Sequence, residues 1–337
     1  MRVLVTGGAG YIGSHTLLEV LGGGNDVCVF DNFSNSSPVA LERVRALSNR
    51  VFDFQELDLR DRDGLTRLMQ DFAPDAVIHF AGLKAVGESV EQPLAYYENN
   101  VQGTISLLQA MEASGCNRIV FSSSATVYGD PQYLPLDEEH PLGSTNPYGR
   151  SKLHIEDMLR DLAVSRTAIS AALLRYFNPV GAHSSGRIGE DPNGIPNNLM
   201  PMIAQVAIGR REKLKVFGAD YDTPDGTGVR DYIHVIDLAK AHLAALDWTQ
   251  TNTGCRAFNL GVGQGVSVLE MIRAFSKACG RQVPYEIAPR RKGDVASCYA
   301  SPARAAAELD WKAELDMEDI CKSSWRWQEA NPRGYMG

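Results

Sequence analysis

From residue 2 onward, short runs of β-branched and other apolar residues alternate with longer segments whose apolar positions recur at helical spacing. The short runs predict strands over residues 2–6, 26–30, 52–56, 76–80, 118–122 and 169–175. The segments between them predict helices near 12–21, 39–47, 63–71, 96–112 and 147–164. Each gap is long enough for a crossover, so the pattern reads as a parallel sheet covered by helices on both faces. The expected fold class is α/β, with a doubly wound sheet in the first half of the chain.

Beyond Asn178-Pro179 the texture changes. Gly, Pro, Asn and Asp crowd residues 181–201 and 219–228, which predicts long ordered loops in a second, smaller mixed α/β part. The expected division is a first domain over 1–178 and a second over 179–337. A strand-like stretch at 231–235 and a helix-like one at 237–246 make the boundary interleaved, with about residues 230–262 packing back on the first domain.

Composition narrows the function. The chain has 337 residues, 44% hydrophobic and 22% charged, which is globular rather than disordered. Its charge balance of 33 − 41 = −8 argues against a broad nucleic-acid or anionic-membrane surface, so any anionic ligand must meet a local cluster of cations. Cysteines at 28, 116, 255, 279, 298 and 321 form no close pair of the zinc or redox kind, and no metal site is expected. With no apolar run of signal or membrane-spanning length, the expectation is a cytoplasmic protein with reduced thiols.

Gly7-Gly8-Ala9-Gly10-Tyr11-Ile12-Gly13 directly follows the first strand and opens the first helix. A strand, a glycine turn and a helix N-terminus bring backbone N–H groups and a positive helix end against a pyrophosphate. Alone, glycines at 7, 10 and 13 also suit an ordinary turn. The second strand, however, ends in Asp31, whose carboxylate can accept from a ribose diol and would repel a phosphorylated ribose, which selects NAD over NADP. The first domain thus reads as a Rossmann-type NAD domain. Asp58, after the third strand, is a candidate near the adenine; a solvated loop aspartate is the competing account.

The sharpest chemical feature is Tyr148-Gly149-Arg150-Ser151-Lys152, a tyrosine and a lysine four apart on one helix face. A neighbouring ammonium and a cationic nicotinamide would both favour phenolate, so Tyr148 could take a proton from a sugar hydroxyl while the nicotinamide takes hydride from the same carbon. The spacing occurs by chance as well. Its context is Ser122-Ser123-Ser124-Ala125-Thr126-Val127-Tyr128, at the carboxyl end of the fifth strand, which places Ser124 to hydrogen-bond the reacting hydroxyl.

With these residues the chain resembles the extended short-chain dehydrogenase/reductases, and among them most closely the UDP-glucose 4-epimerase family. The likeness runs through residues 6–15, 79–89, 122–129, 174–181, 194–201, 228–235 and 289–294. The glycine and Tyr/Lys motifs mark the superfamily, whereas the strings at 82–89 and 197–201 are particular to the epimerases. The resemblance implies that Tyr148 is general base and acid, that Lys152 binds the nicotinamide ribose and tunes Tyr148, and that Ser124 mediates proton movement. It implies an NAD pocket that adds Tyr11, Ile12, Asn32, Asn35, Ser36, Leu59, Phe80, Ala81, Gly82, Lys84, Asn99, Ser122 and Phe177 to the glycines, Asp31 and Asp58. Substrate contacts would come from Lys84, Ser124, Tyr148, Asn178, Asn198, Leu199, Phe217, Arg230, Tyr232, Arg291, Asp294 and Cys298. The two arginines suit a nucleoside diphosphate in an acidic protein.

The implied reaction removes hydride from C4 of a UDP-hexose, lets the 4-keto sugar turn over, and returns hydride to the other face, with tightly bound NAD regenerated each turnover. Where some relatives carry a tyrosine over the C2 side, this chain places Cys298, followed by Tyr299. A small residue leaves room for an N-acetyl group, so UDP-GlcNAc and UDP-GalNAc are expected as further substrates; a slip of one residue would put Tyr299 there instead. Two other functions remain open. A nucleotide-sugar 4,6-dehydratase would carry an Asp-Glu pair after the threonine, where this chain has Val127-Tyr128, and a non-catalytic NAD-binding sensor would have no need of the Tyr/Lys pair. A homodimer through the helices near 96–112 and 147–164 is also expected from the family.

Overall fold

Val3, Leu4 and Val5 have no exposed surface, the mark of a strand covered on both faces. The computed structural model of the chain describes every residue except Ile195, Lys292 and Gly337. Ile195 and Lys292, which fall within two of the family-like strings, therefore lie outside the described residues.

The first half runs β1 (Arg2–Thr6), α1 (Tyr11–Gly22), β2 (Asp26–Asp31), α2 (Pro38–Ser48), β3 (Asp53–Glu56), α3 (Arg62–Phe72), β4 (Ala76–His79), α4 (Val86–Glu91), α5 (Pro93–Tyr96), α6 (Gly103–Ser114), β5 (Arg118–Ser124), α7 (Pro147–Ser165) and β6 (Ser170–Tyr176). The second half continues with β7 (Asn178–Val180), α8 (Leu199–Ala207), β8 (Leu214–Phe217), β9 (Val229–Arg230), β10 (Tyr232–His234), α9 (Val235–Thr251), β11 (Gly254–Leu260), β12 (Val266–Ser267), α10 (Val268–Cys279), β13 (Tyr285–Ala288), β14 (Ser297–Cys298), α11 (Ala303–Glu308) and α12 (Met317–Ala330). Seven strands pair in parallel in the order β11-β6-β5-β4-β1-β2-β3. The order reverses at β1, so the carboxyl ends of β1 and β4 open the crevice in which such sheets hold ligands.

Two apolar layers cover this sheet. One gathers Leu17 and Leu21 of α1, Leu41 and Val44 of α2 and Leu238, Ala241 and Ala245 of α9. The other gathers Leu65 and Met69 of α3, Leu107 and Met111 of α6 and Ile155 and Leu159 of α7. A third core joins α8, α10 and α12 to β8 through Ile203, Phe275, Trp325 and Val216, and β13 pairs in parallel with β8. Although β11 and α9 follow the texture change in sequence, β11 forms an edge of the seven-stranded sheet and α9 packs beside α1.

Three elements differ from the sequence pattern in ways that serve the site. The helix expected over 96–112 is interrupted by a π-helical stretch, Tyr97–Gln102. There Asn100 is buried, accepts from Leu83 N–H and donates to Leu83 C=O and Ser151 Oγ, contacts that the widened turn directs inward. The fifth strand runs on to Ser124, so all three serines stand in register with β6. The strand-like stretch at 231–235 is the shorter β10, which follows β9. Between them, buried Asp231 accepts backbone N–H groups from Val262, Gly263 and Ala300, knotting three segments together.

Candidate active site

At the carboxyl end of β1 the backbone itself forms a cradle. Gly7 has φ +68°, and a Cβ there would fall 2.7 Å from the Ala81 nitrogen; a Cβ on Gly13 would fall 2.5 Å from the Gly7 carbonyl oxygen. Only glycine allows β1, α1 and the turn after β4 to approach this closely. Gly10 caps α1 without a side-chain hydrogen bond and no acidic residue occupies the first turn, so the N–H groups around Tyr11 and Ile12 are left for an anion. Ala81 and Phe80 are fixed opposite by hydrogen bonds from Ala81 N–H to Thr6 Oγ1 and from Phe80 N–H to the Thr6 carbonyl.

The far end of the cradle is polar. Asp31, at the tip of β2, accepts from Ala9 N–H, Phe33 N–H and the Ser36 hydroxyl. Burial raises its carboxyl above the usual range while these hydrogen bonds oppose the rise. Asp58 joins Asn32 at 2.9 Å and Arg60 at 2.8 Å, and the Arg60 hydrogen bond holds its carboxyl well below the usual range. Asn35 accepts from Asn193 N–H at 3.3 Å. Leu59 is buried beneath Gly103, where a Cβ would approach it within 2.8 Å, while Asn99 and Gly82 both lie against Asn100. These residues fit a dinucleotide: a glycine-lined groove for the diphosphate and carboxylates for ribose hydroxyls.

Tyr148 and Lys152 occupy the first two turns of α7, whose Pro147 and N-cap Asn146 start the helix, with Asn146 Oδ1 accepting from Gly149 N–H at 2.9 Å. Lys152 is buried and donates to the Ser122 carbonyl at 2.6 Å, and its Nζ lies 6.0 Å from the Tyr148 ring centroid. Burial pushes the Lys152 amine down to about 7, against the upward pull of Glu156. Burial raises the Tyr148 phenol above its ordinary range, and a hydrogen bond with Ser124 works the other way. Desolvation is thus the larger influence on the phenol in the protein without cofactor, and Ser124 is the group that lowers it. Ser124 Oγ already accepts from the Thr126 hydroxyl and N–H at 3.0 and 3.2 Å, which leaves its own proton to offer. Beside it, the Tyr176 hydroxyl is hydrogen-bonded to His242.

The other wall comes from the second half of the chain. Cys298 of β14 pairs with Arg230 of β9, and Asn178 N–H donates to the Asp231 carbonyl, joining β7 to the same knot. Arg291 lies over the Phe217 ring at 4.8 Å and pairs with Asp294 at 2.9 Å. Burial pushes the Tyr232 phenol up to about 12, with the positive charges of Arg230 and Arg291 opposing the rise. Phe177 packs in an apolar cluster with Val127, Tyr128, Leu136 and Ala300, against which Cys298 also rests. Tyr299 points elsewhere, toward Gly265, where a Cβ would come within 3.1 Å of its ring. At the N-terminus of α8, Asn198 and Leu199 face Lys84 across Glu190: Lys84 Nζ and Asn198 Nδ2 reach the same Glu190 oxygen at 3.3 and 2.8 Å.

Glu190 went unmarked in the sequence, as did Thr126 behind Ser124 and the buried Glu156–Arg175 pair behind Lys152. Glu190 follows no short-range pattern, since 106 positions separate it from Lys84, whereas Thr126 and Glu156 stand only two and four residues from Ser124 and Lys152. Among the described residues there is no group of three or more His, Cys, Asp or Glu that could hold a metal ion, and no helix long and apolar enough to cross a membrane.

A family model described as GDP-mannose 4,6 dehydratase, within the extended short-chain dehydrogenase/reductases, matches residues 4–324. A UDP-glucose 4-epimerase of Mus musculus is 60% identical over 341 residues, covering 99% of this chain and 98% of that protein. The crystal structure of a Bifidobacterium longum UDP-glucose 4-epimerase in complex with NAD+ and UDP superposes with a TM-score of 0.96 at 54% identity, covering 99% and 100% of the two chains. A UDP-Glc/GlcNAc 4-epimerase of Campylobacter jejuni is similar too, with a TM-score of 0.85 and 42% identity over 98% and 99%.

Proposed function

Because the chain belongs to the UDP-glucose 4-epimerase family of extended short-chain dehydrogenases/reductases, we propose that its convergent Tyr148, Ser124 and Lys152 interconvert UDP-glucose and UDP-galactose. The enzyme is an NAD-dependent isomerase. Bound in the glycine-lined crevice, NAD supplies the acceptor and then the donor of the hydride at C4 of the hexose. The glycines at 7, 10 and 13 and the α1 N-terminus hold its diphosphate; Asp31 takes a ribose diol, with Asn32, Asn35, Ser36, Asp58 and Leu59 around the adenosine. Phe80, Ala81, Gly82, Lys84, Asn99, Ser122 and Phe177 line the nicotinamide end.

Tyr148 takes the proton of the 4-hydroxyl and later returns it, with Ser124 relaying between phenol and sugar. Lys152 binds a ribose hydroxyl and stabilises the phenolate. Arg230, Arg291, Asn178, Asn198, Leu199, Phe217, Tyr232 and Asp294 grip the uridine diphosphate, so binding energy resides there and the 4-keto sugar is free to turn. Support for epimerisation over dehydration comes from Val127 and Tyr128: both are buried, and Tyr128 is engaged by Asn259 and Arg175, so no acid or base stands beside Thr126.

The small Cys298 beside Phe177 supports further turnover of UDP-GlcNAc and UDP-GalNAc. Residues 1–178 serve as the NAD-binding domain and 179–337 as the substrate domain, with about 230–262 packing back on the first, a division supported by β11 at the edge of the seven-stranded sheet and α9 beside α1. Exposed Val90, Leu94 and Ile105 on α4 to α6 support a homodimer through these helices and α7. Six free thiols support a cytoplasmic setting.

The test is incubation of the purified protein with UDP-galactose and no added NAD. UDP-glucose as product is expected. A 6-deoxy-4-keto sugar would establish a dehydratase instead, and unchanged substrate would leave a sensor.

A further inference from the structure

The geometry points to Glu190 as a positioning residue that holds Lys84 and Asn198 at the diphosphate-binding edge of the cleft. This inference rests on the epimerase reading, because it takes Asn198 and Lys84, which stands between the nicotinamide end and the substrate, as substrate contacts. Glu190 lies on the long connection between β7 and α8, and its side chain is only 8% exposed. One of its carboxylate oxygens receives both Lys84 Nζ, from the nucleotide-binding half, and Asn198 Nδ2, from the start of α8. Its backbone is fixed from behind, since the Glu190 carbonyl accepts from the Trp327 indole.

The bond to Asn198 has a specific consequence for α8. Asparagine is among the best helix N-caps, and Asn198 stands at the N-cap with extended backbone, yet its side chain makes no capping hydrogen bond. Pro201 at the third helical position has no N–H to offer a cap, and the Asn198 amide donates to Glu190 instead. The N–H groups of Leu199 and Met200 carry no side-chain cap at the same edge of the cleft where Lys84 brings its ammonium, and both favour an anionic diphosphate. Lys84 keeps two further protons and Asn198 keeps its amide oxygen, so holding them does not use them up. Without the carboxylate, Lys84 is released to solvent and the Asn198 amide loses the partner that fixes its orientation.

Glu190 touches neither Tyr148 nor Ser124, so its removal acts on ligand binding and not on the chemical step. UDP affinity of the NAD-loaded protein, read by titration calorimetry, tests this. Glu190→Ala is expected to weaken UDP about tenfold and to raise KM for UDP-galactose with kcat within about threefold. In a Lys84→Met/Asn198→Ala background the same substitution is expected to cost less than twofold, because its two targets are gone. Equal loss in both backgrounds, or unchanged affinity in the parent background, would overturn the assignment. Glu190→Gln fills the same volume and serves if the alanine variant does not fold; it is expected to weaken UDP at least threefold, and parental affinity would count against the proposal. Turnover of UDP-galactose by the parent separates the two ideas: a parent that binds UDP without epimerising fails the proposed reaction and leaves Glu190's role standing, whereas a parent that does not bind UDP ends both.

Discussion

Lys152 Nζ donates to the Ser122 carbonyl at 2.6 Å, tying the catalytic helix α7 to the end of β5 and fixing Tyr148 and Ser124 in one frame. Two secondary elements thus present the chemistry as a rigid pair, with the lysine as the tie. Tyr148→Phe removes one oxygen and leaves that tie in place. Turnover is expected to fall by about 10²–10⁴-fold, while NAD stays bound and is measurable by its absorbance in the purified protein. Near-parental turnover would remove Tyr148 from its role as base.

Cys298 ends β14 and rests on the cluster that contains Phe177, whereas Tyr299, the next residue, lies against Gly265. Cys298→Tyr is expected to abolish turnover of UDP-GlcNAc and leave the UDP-glucose pair within a few-fold of the parent. The comparison is made by product separation for both sugar pairs. If the parent shows no N-acetyl turnover, the size argument fails.

Behind Lys152, Glu156 is fully buried and accepts from Ser123 Oγ at 2.5 Å and from Arg175 at 2.7 and 3.0 Å; Arg175 is itself buried. Arg175 and the other hydrogen bonds hold the Glu156 carboxyl below its usual range despite burial. Glu156→Gln strands a buried guanidinium, which costs about 3–5 kcal/mol. Urea unfolding of parent and variant at neutral pH reads the loss, and a difference below about 1 kcal/mol would mean that the pair contributes little.

Four buried histidines predict acid sensitivity. Burial pushes His15 and His79 down to about 3, and His234 and His242 down to about 4, from 6.5. Between 6.5 and those values the unfolded chain binds protons that the native protein refuses, so stability falls as pH drops through this window. The slope is up to about 1.4 kcal/mol per pH unit for each histidine. Above 6.5 these groups add no slope. Urea midpoints measured from pH 7.5 to 5 should decline below 6.5, and a flat profile would contradict the buried neutral state.

The doubly wound sheet and the core of the site were legible in the sequence because they rest on local regularities. The run Arg2–Thr6, the glycines before α1, Asp31 ending β2 and the Tyr148/Lys152 spacing each lie within one element or at its end, where period and turn chemistry leave a mark. The resemblance added the residues on the second half of the chain. Three things were not legible. The π-helical stretch at Tyr97–Gln102 arises because Asn100 reaches Leu83 and Ser151, partners far off in sequence. The upward shift of the Tyr148 phenol follows from burial, a property of the assembled cleft and not of its helix. Glu190 acquires its place between Lys84 and Asn198 only when the β7–α8 connection folds across the nucleotide half. Periodicity and capping are encoded over a few neighbouring residues, whereas desolvation and long-range hydrogen bonds depend on which distant segments share the same low-dielectric space.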